Sequence, residues 1–305
     1  MTALRMLSVS CAAMVALHSS AFAGDDSWTT DFAAAKKQAA AENKDLLVDF
    51  TGSDWCGYCI RLRKEVFAHD SFKQAVKDKF VLVELDYPRD TSAMSEETVA
   101  QNAELKTHYA IGSYPTVLLM DSAGKPYRRT GYKKGGPENY LKHLDELLAE
   151  KQKSAAEFAK ADGMEGLAKA NQILAAMKST GLRTVLIASC YGDEIDQLKA
   201  ADPEDQTGYA AREKKEVFEW TLSRLSLKKD TGGMLRLIDS RLVADGVKTG
   251  EKQKLMGMKA RIFAQSGNYD LARKTLAEAK AIDPASKEAE SFERFEKSIA
   301  NKGVN

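Results

Sequence analysis

Apolar and polar positions follow two different patterns along the chain. Between Trp28 and Glu150, short apolar runs rich in β-branched residues alternate with amphipathic segments that have the period of helices. The strand-like runs are LLVDF (46–50), KFVLVELDY (79–87), YPTVLLM (114–120) and PYRRTGY (126–132), and the helix-like ones are 29–44, the segment after Cys59, 95–109 and 136–150. This order, αβαβαββα, predicts an α/β domain in which helices cover both faces of a central sheet.

After Lys151 the strand-like runs stop, and amphipathic segments rich in Ala, Leu, Lys and Glu alternate with short turns. We expect about seven helices in this part. Within 259–295, small and apolar residues stand at the spacings of a tetratricopeptide helix pair, namely Ala260, Gly267, Tyr269, Ala272, Leu276, Ala279 and Pro284. The sequence therefore predicts an all-α domain over 151–305, with a tetratricopeptide-like helix pair near 251–295.

Residues 1–23 have the pattern of a secretory signal peptide. One early cation, Arg5, precedes an apolar stretch, and Ala21-Phe22-Ala23 supplies the small-x-small ending that signal peptidase requires. One alternative is a buried N-terminal helix, but the small-x-small ending would then have no role. A second alternative is a lipoprotein anchor at Cys11, which is disfavoured because Ser8 stands where such signals have Leu. We predict cleavage near Ala23, a periplasmic or secreted bacterial location, and a mature chain divided into 24–150 and 151–305.

Charge and length limit the classes of partner. The 305 residues include 45 basic and 44 acidic side chains, and the signal peptide contains one of the basic ones and no acidic one, so the mature chain is neutral. A neutral chain offers no electrostatic case for nucleic acid or an anionic membrane as partner. No segment after the signal peptide approaches the ~20 apolar residues of a membrane span.

Cys56 and Cys59 lie where the strand-like run 46–50 gives way to a helix-like segment. A thiol at the N-terminus of a helix faces free backbone N–H groups, which favour its thiolate form, and a thiol three residues further on can resolve a mixed disulfide. A zinc site needs four ligands, and few other candidates remain after the signal peptide: Cys190, His69, His108 and His143. A purely structural bridge is disfavoured because so short a loop constrains the unfolded chain little. The sequence therefore predicts a redox pair.

Residues 28–150 resemble a thioredoxin-fold domain, and in particular the secreted bacterial thioredoxin-like proteins with a FTGSDWCGxC signature. The matching positions are Asp49, Phe50, Trp55, Cys56-Gly57-Tyr58-Cys59 and Gly112-Ser113-Tyr114-Pro115-Thr116. The resemblance implies that Cys56 and Cys59 are catalytic and that Pro115 follows a cis peptide bond. It also implies a set of residues that bind the substrate peptide, with backbone pairing at Tyr114: Pro115, Tyr114, Trp55, Gly57 and Tyr58.

The resemblance gives Asp49 a catalytic role as well. It implies a buried carboxylate behind the second cysteine, whose raised pKa lets it take the proton from Cys59. The alternative is an ordinary aspartate that caps a loop at the end of a strand. One more residue separates Asp49 from Cys56 than in ordinary thioredoxins. For Cys190, among apolar neighbours, we expect a small buried thiol on a helix rather than a resolving cysteine.

The sequence thus predicts an exported thiol–disulfide oxidoreductase that needs no metal and no cofactor besides the Cys56–Cys59 disulfide. The expected partners are proteins with thiols or disulfides and a redox partner protein. The sequence does not distinguish between reduction, isomerisation and formation of disulfides as the reaction catalysed. The alternative is a non-catalytic scaffold, in which the helical domain recruits partner proteins and the thioredoxin-like domain serves as a docking module.

Overall fold

The computed structural model describes residues 27–300 and Lys302, so the predicted signal peptide and its cleavage site lie outside the described residues. By its internal contacts the chain divides into two compact units. Of the described residues, the first unit holds 27–104 and Gly112–Asp145, and the second holds Leu105–Ile111 and the chain from Glu146 onward.

The first unit contains a five-stranded sheet in the order β1-β3-β2-β4-β5. Its strands are β1 Trp28–Thr29, β2 Asp45–Thr51, β3 Phe80–Asp86, β4 Thr116–Met120 and β5 Pro126–Thr130. The central strand β2 runs parallel to β3 and antiparallel to β4. Every residue of β2 after Asp45 is buried, which explains its almost continuous apolar sequence, because a central strand has both faces covered.

Helices connect these strands, namely α1 Phe32–Glu42, α2 Gly57–Leu62, α3 Asp70–Val76 and α4 Glu96–His108, and α5 Gly136–Ala159 follows the last strand. The side chain of Asp31 caps α1 by accepting a hydrogen bond from the Ala34 N–H, as short polar side chains do at helix N-termini. Helix α2 continues directly into a π-helical turn, Arg63–Phe67. Phe67, the last residue of this turn, packs with Phe72 and Tyr140, and the three ring centroids are 5.1 to 6.2 Å apart.

The second unit is helical. After the end of α5 it contains α6 Gly166–Ser179, α7 Thr184–Cys190, α8 Gly192–Ala201, α9 Tyr209–Leu227, α10 Thr231–Leu242, α11 Thr249–Gln265, α12 Tyr269–Ile282 and α13 Lys287–Ile299. Ala260, Ala272 and Ala279 are fully buried between its last helices. A Cβ atom on Gly257 would lie 2.4 Å from the ring of Phe292, so the contact between α11 and α13 requires glycine there.

The structure confirms the predicted fold class, a mixed α/β sheet domain followed by an all-α region. Three features were not predicted: the two-residue strand β1, the short helix α3 and the π-helical turn. Helix α5 extends to Ala159 instead of ending near 150, and eight helices follow it in the described part of the chain. The tetratricopeptide-like character of α11 and α12 stays a prediction.

Within residues 27–300, no single helix is both long and apolar enough to cross a membrane, although the bent pair Gly166–Ser179 and Thr184–Cys190 passes that test when the two are taken together.

Candidate active site

Cys56 and Cys59 form a disulfide, with their Cα atoms 5.2 Å apart. Cys56 is the N-cap residue of α2, and its Sγ atom accepts a hydrogen bond from the backbone N–H of Cys59 at 3.3 Å. Both residues are largely buried, with 6% of Cys56 and 2% of Cys59 exposed. The slightly more exposed residue of the pair therefore stands at the start of the helix, where a redox pair has its attacking cysteine.

Asp49 lies in the middle of the sheet, on β2. Its neighbours in register are Glu84 on β3 and Val117 on β4, and only 3% of the residue is exposed. The Oδ1 atom is buried and has no hydrogen-bond partner in the described part of the chain. Burial raises the pKa of Asp49 to about 7, while the charge of Arg63 acts to lower it. A carboxyl group with this pKa can gain or lose a proton near neutral pH.

Arg63, in the π-helical turn, forms an ion pair with Glu84. Both side chains line a cavity of about 260 Å³ that reaches Cys59, together with Thr51, Ser53, Ile60 and Lys64. Sequence reasoning missed this pair. Glu84 gave the one available signal, because it is a charged residue inside the otherwise apolar run FVLVEL.

The peptide bond between Tyr114 and Pro115 is cis, as the resemblance implied. Thr116, the next residue, pairs with Phe50 at the end of β2. A Cβ atom on Gly131 would lie 3.1 Å from the carbonyl oxygen of Pro115. The sheet therefore holds the Pro115 loop beside the end of β2, the strand that leads to Cys56.

Trp55 contacts both the Pro115 loop and the residue that follows strand β3. Its Nε1–H donates a hydrogen bond to the carbonyl oxygen of Tyr87 at 2.8 Å, and its ring meets that of Tyr114 edge-on, with centroids 5.4 Å apart. Trp55 is still 39% exposed. A Cβ atom on Gly52 would lie 2.6 Å from the Trp55 ring, so the turn before Cys56 depends on that glycine.

Tyr58, between the two cysteines, is 59% exposed. Its ring lies beside that of Tyr132, with centroids 5.7 Å apart, and the Tyr132 hydroxyl donates a hydrogen bond to Glu65 at 2.6 Å. A Cβ atom on Gly57 would have nothing within 4 Å, so the space in front of Gly57 is open. Tyr132 was not predicted as a site residue, because it comes from a loop far along the chain.

The added residue between Asp49 and Cys56 does not displace the carboxylate from the interior. The chain turns sharply after Thr51, where the backbone N–H of Cys56 donates a hydrogen bond to the carbonyl oxygen of Gly52 at 2.9 Å. The turn thus takes up the extra length, and the side chain of Asp49 stays buried.

Cys190 belongs to the second unit and is not part of this site. It is half-buried rather than buried, and its Sγ atom lies 3.8 Å from Nε2 of His108. Among residues 27–300 and Lys302, no group of three or more His, Cys, Asp and Glu side chains is arranged to hold a metal ion.

Comparison with known proteins matches residues 27–122 to the thioredoxin-like family. The disulfide bond reductase DsbH of Chlamydia pneumoniae is 30% identical over 117 residues, which cover 38% of this chain and 70% of DsbH. The thioredoxin-related protein DsbJ of the same organism is 34% identical over 104 residues, 34% of this chain and 30% of DsbJ. A solved structure of a DsbH oxidoreductase is 29% identical, with a TM-score of 0.37 and coverage of 39% of this chain and 81% of that one.

Proposed function

This chain belongs to the thioredoxin-like family and is a thiol–disulfide oxidoreductase, and we propose that it reduces disulfide bonds of proteins outside the cytoplasm. The observation that carries the proposal is the Cys56–Cys59 disulfide at the N-terminus of α2, next to the strand that bears the buried Asp49. The name of the similar DsbH, a disulfide bond reductase, supports the reducing direction.

The first step is an attack by the reduced enzyme. The Cys56 thiolate attacks one sulfur of a client disulfide, so that a bond between Cys56 and the client forms and the client's own S–S bond breaks. The second client sulfur leaves and takes up a proton. The backbone N–H of Cys59, which points at Cys56 Sγ, stabilises the attacking thiolate.

The second step releases the client. Asp49 in its carboxylate form takes the proton of Cys59, and the Cys59 thiolate attacks Cys56 Sγ. The mixed disulfide breaks, the remaining client sulfur leaves as a thiolate that is then protonated, and two electrons have passed from the enzyme to the client. A dithiol of a redox partner protein then reduces the Cys56–Cys59 disulfide again.

The residues around the disulfide position the client. The backbone of Tyr114, before the cis bond, offers groups for β-type pairing with an extended peptide. The open space in front of Gly57 admits the client backbone. The exposed side chains of Trp55 and Tyr58, which flank the attacking Cys56 in the sequence, supply apolar contact to the client.

Export is part of the proposal and rests on the sequence of residues 1–23. Cell fractionation followed by N-terminal sequencing of the mature protein tests it. A periplasmic or secreted protein that begins at Gly24 supports export, whereas a cytoplasmic protein that retains Met1 contradicts it.

Reduction of insulin in the presence of dithiothreitol tests the oxidoreductase function. Cys56→Ser should abolish the activity, and Cys59→Ser should trap the client as a mixed disulfide. Cys190→Ser is the matched control and should retain full activity. The reduction potential of the Cys56–Cys59 couple tests the direction, because reductants have potentials of about −270 mV and oxidants of about −120 mV. A value at the oxidising end would overturn the reducing direction.

A further inference from the structure

We propose that the helical unit carries a docking surface for acidic segments of client proteins. The surface, here called the basic surface, consists of Lys106, Arg183, Arg224 and Lys228 around the ring of Trp220. This inference rests on the proposed function, because it takes the partners of the surface to be the protein clients of a thiol–disulfide oxidoreductase. All of its residues belong to the second unit.

Helix α9 supplies most of the basic surface. Trp220, Arg224 and Lys228 follow one another at intervals of four residues and therefore share one face of the helix. The guanidinium group of Arg183 lies 5.2 Å from the centroid of the Trp220 ring, and that of Arg224 lies 5.5 Å from it. Nη1 of Arg224 also donates a hydrogen bond to the carbonyl oxygen of Ile111 at 3.4 Å.

Lys106, near the end of α4, adds a further cation. Ile111, whose carbonyl oxygen accepts the hydrogen bond from Arg224, donates its own N–H to the carbonyl oxygen of Lys106 at 2.9 Å, so the end of α4 lies beside Arg224. Burial and, after it, the charges of Arg224 and Lys228 lower the pKa of Lys106. Like charges at short range repel one another, and an anion bound among them relieves this repulsion.

The cations of the basic surface differ from several others in the same unit. Four basic side chains elsewhere in the helical unit form ion pairs, namely Lys199–Glu213, Arg241–Glu251, Lys259–Asp239 and Lys280–Glu296. By contrast, Arg183, Arg224 and Lys228 form no ion pair with a carboxylate of the described residues. Their charge therefore stays available to an acidic partner, although the mature chain as a whole is neutral.

The chemistry of the surface fits carboxylates of an extended polypeptide. A guanidinium group that stacks on an aromatic ring uses its face for that contact and keeps its N–H edge for bidentate binding of a carboxylate. The four cations come from α4, from the loop before α7 and from α9, and this spread suits a segment with several acidic side chains. Arg183 and Lys228 are both exposed.

The surface can be tested apart from any catalysis with a cysteine-free peptide that contains a run of glutamates. Its binding is measured at low salt by fluorescence anisotropy. The double variant R183E/K228E should weaken binding by about tenfold, and R183Q/K228Q should weaken it less but in the same direction. The matched control is K252E/K287E, which changes the net charge equally at two other exposed lysines of the helical unit. It should bind as the wild type does.

Turnover of two disulfide-linked reporter peptides tests the role in client choice. One carries a run of glutamates and the other carries glutamines at the same positions. The wild type should have a KM about fivefold lower for the acidic peptide, with similar kcat values. The difference should disappear in R183E/K228E and at about 1 M salt, where the screening length is about 3 Å.

Three results would overturn the docking surface: equal binding of the glutamate and glutamine peptides, an equal loss in K252E/K287E, or tight binding to vesicles of phosphatidylcholine and phosphatidylglycerol without binding of the acidic peptide. Failure of the oxidoreductase function is a separate result. In that case neither reporter is reduced, while the anisotropy measurement still reports on the surface.

Discussion

The backbone N–H of Cys59 donates a hydrogen bond to the Sγ atom of Cys56 at 3.3 Å. We expect the same N–H to face Cys56 in the reduced protein. An N–H group directed at sulfur from a helix N-terminus stabilises negative charge there. The geometry therefore distinguishes the two cysteines chemically, although they belong to one short motif.

The first prediction concerns the reactivity of the three cysteines. After reduction with a phosphine, iodoacetamide at about pH 6 should alkylate Cys56 at least tenfold faster than Cys190, because only Cys56 lies at the N-terminus of the helix. Peptide mapping by mass spectrometry measures the rates in one molecule, so Cys190 is the internal control. Equal rates for the two would contradict the assignment of Cys56 as the attacking thiol.

The second prediction concerns Asp49 as the proton acceptor. The rate at which Cys59 resolves the mixed disulfide should rise through about pH 7, since the carboxylate form of Asp49 becomes dominant there. Asp49→Asn should slow resolution at least tenfold at neutral pH and remove this inflection. Single-turnover kinetics across the pH range measure both effects. An unchanged profile in the variant would show that Asp49 does not move the proton.

The third prediction concerns stability. An unfolded chain releases the Asp49 proton near its ordinary pKa of about 4, whereas the native protein keeps it until about pH 7. The native state binds more protons in this window, so the free energy of unfolding should fall as the pH rises, by a few kcal/mol in total. Urea unfolding at several pH values should show a smaller fall for Asp49→Asn. A slope equal to that of the wild type would contradict the buried carboxyl.

The fourth prediction separates the charge of Arg63 from its ion pair with Glu84. The positive charge of Arg63 lowers the pKa of Asp49, so Arg63→Gln should move the pH midpoint of resolution upward. Glu84→Gln also breaks the ion pair but keeps the cation, and its midpoint should stay near that of the wild type. Equal upward shifts in both variants would mean that the ion pair, rather than the charge, sets the midpoint.

The fifth prediction compares two glycines of the active-site turn. Gly52→Ala should lower the free energy of unfolding by about 1–3 kcal/mol, because the added Cβ overlaps the Trp55 ring. Gly57→Ala meets only open space and should leave stability unchanged or slightly higher, since alanine favours a helix. Its effect should appear as a raised KM for peptide clients. Thermal unfolding together with insulin reduction measures these effects, and a stable Gly52→Ala variant would contradict the account.

Much of the first unit could be predicted because its strong signals are local. Strands β2 and β3 are apolar runs, and the CxxC motif directly after a strand places the cysteines at the start of a helix. The two-residue strand β1 has no such signal, because a pairing of Trp28 with Leu82 leaves no periodicity in the sequence. Helix α3 is a single short segment between α2 and β3, too brief for a reliable amphipathic pattern.

The electrostatic surroundings of Asp49 could be predicted only in part. The resemblance to thioredoxin-like proteins implied that it is buried, and burial is the main cause of its raised pKa. The opposing influence of Arg63 depends on how the π-helical turn faces β3, and no local pattern encodes that contact. Tyr132 was missed for the same reason, because its neighbour Tyr58 is far away in sequence.

The division of the chain into units has a practical consequence for attempts to separate them. Because Leu105–Ile111 belongs to the second unit while its flanking residues belong to the first, the backbone passes from one unit to the other three times. A single protease cut in α5 near Asp145 would leave the N-terminal fragment holding seven residues that pack within the helical unit. The two fragments should therefore elute together until denaturant is added, and a gene truncated after Asp145 would deprive those seven residues of their neighbours.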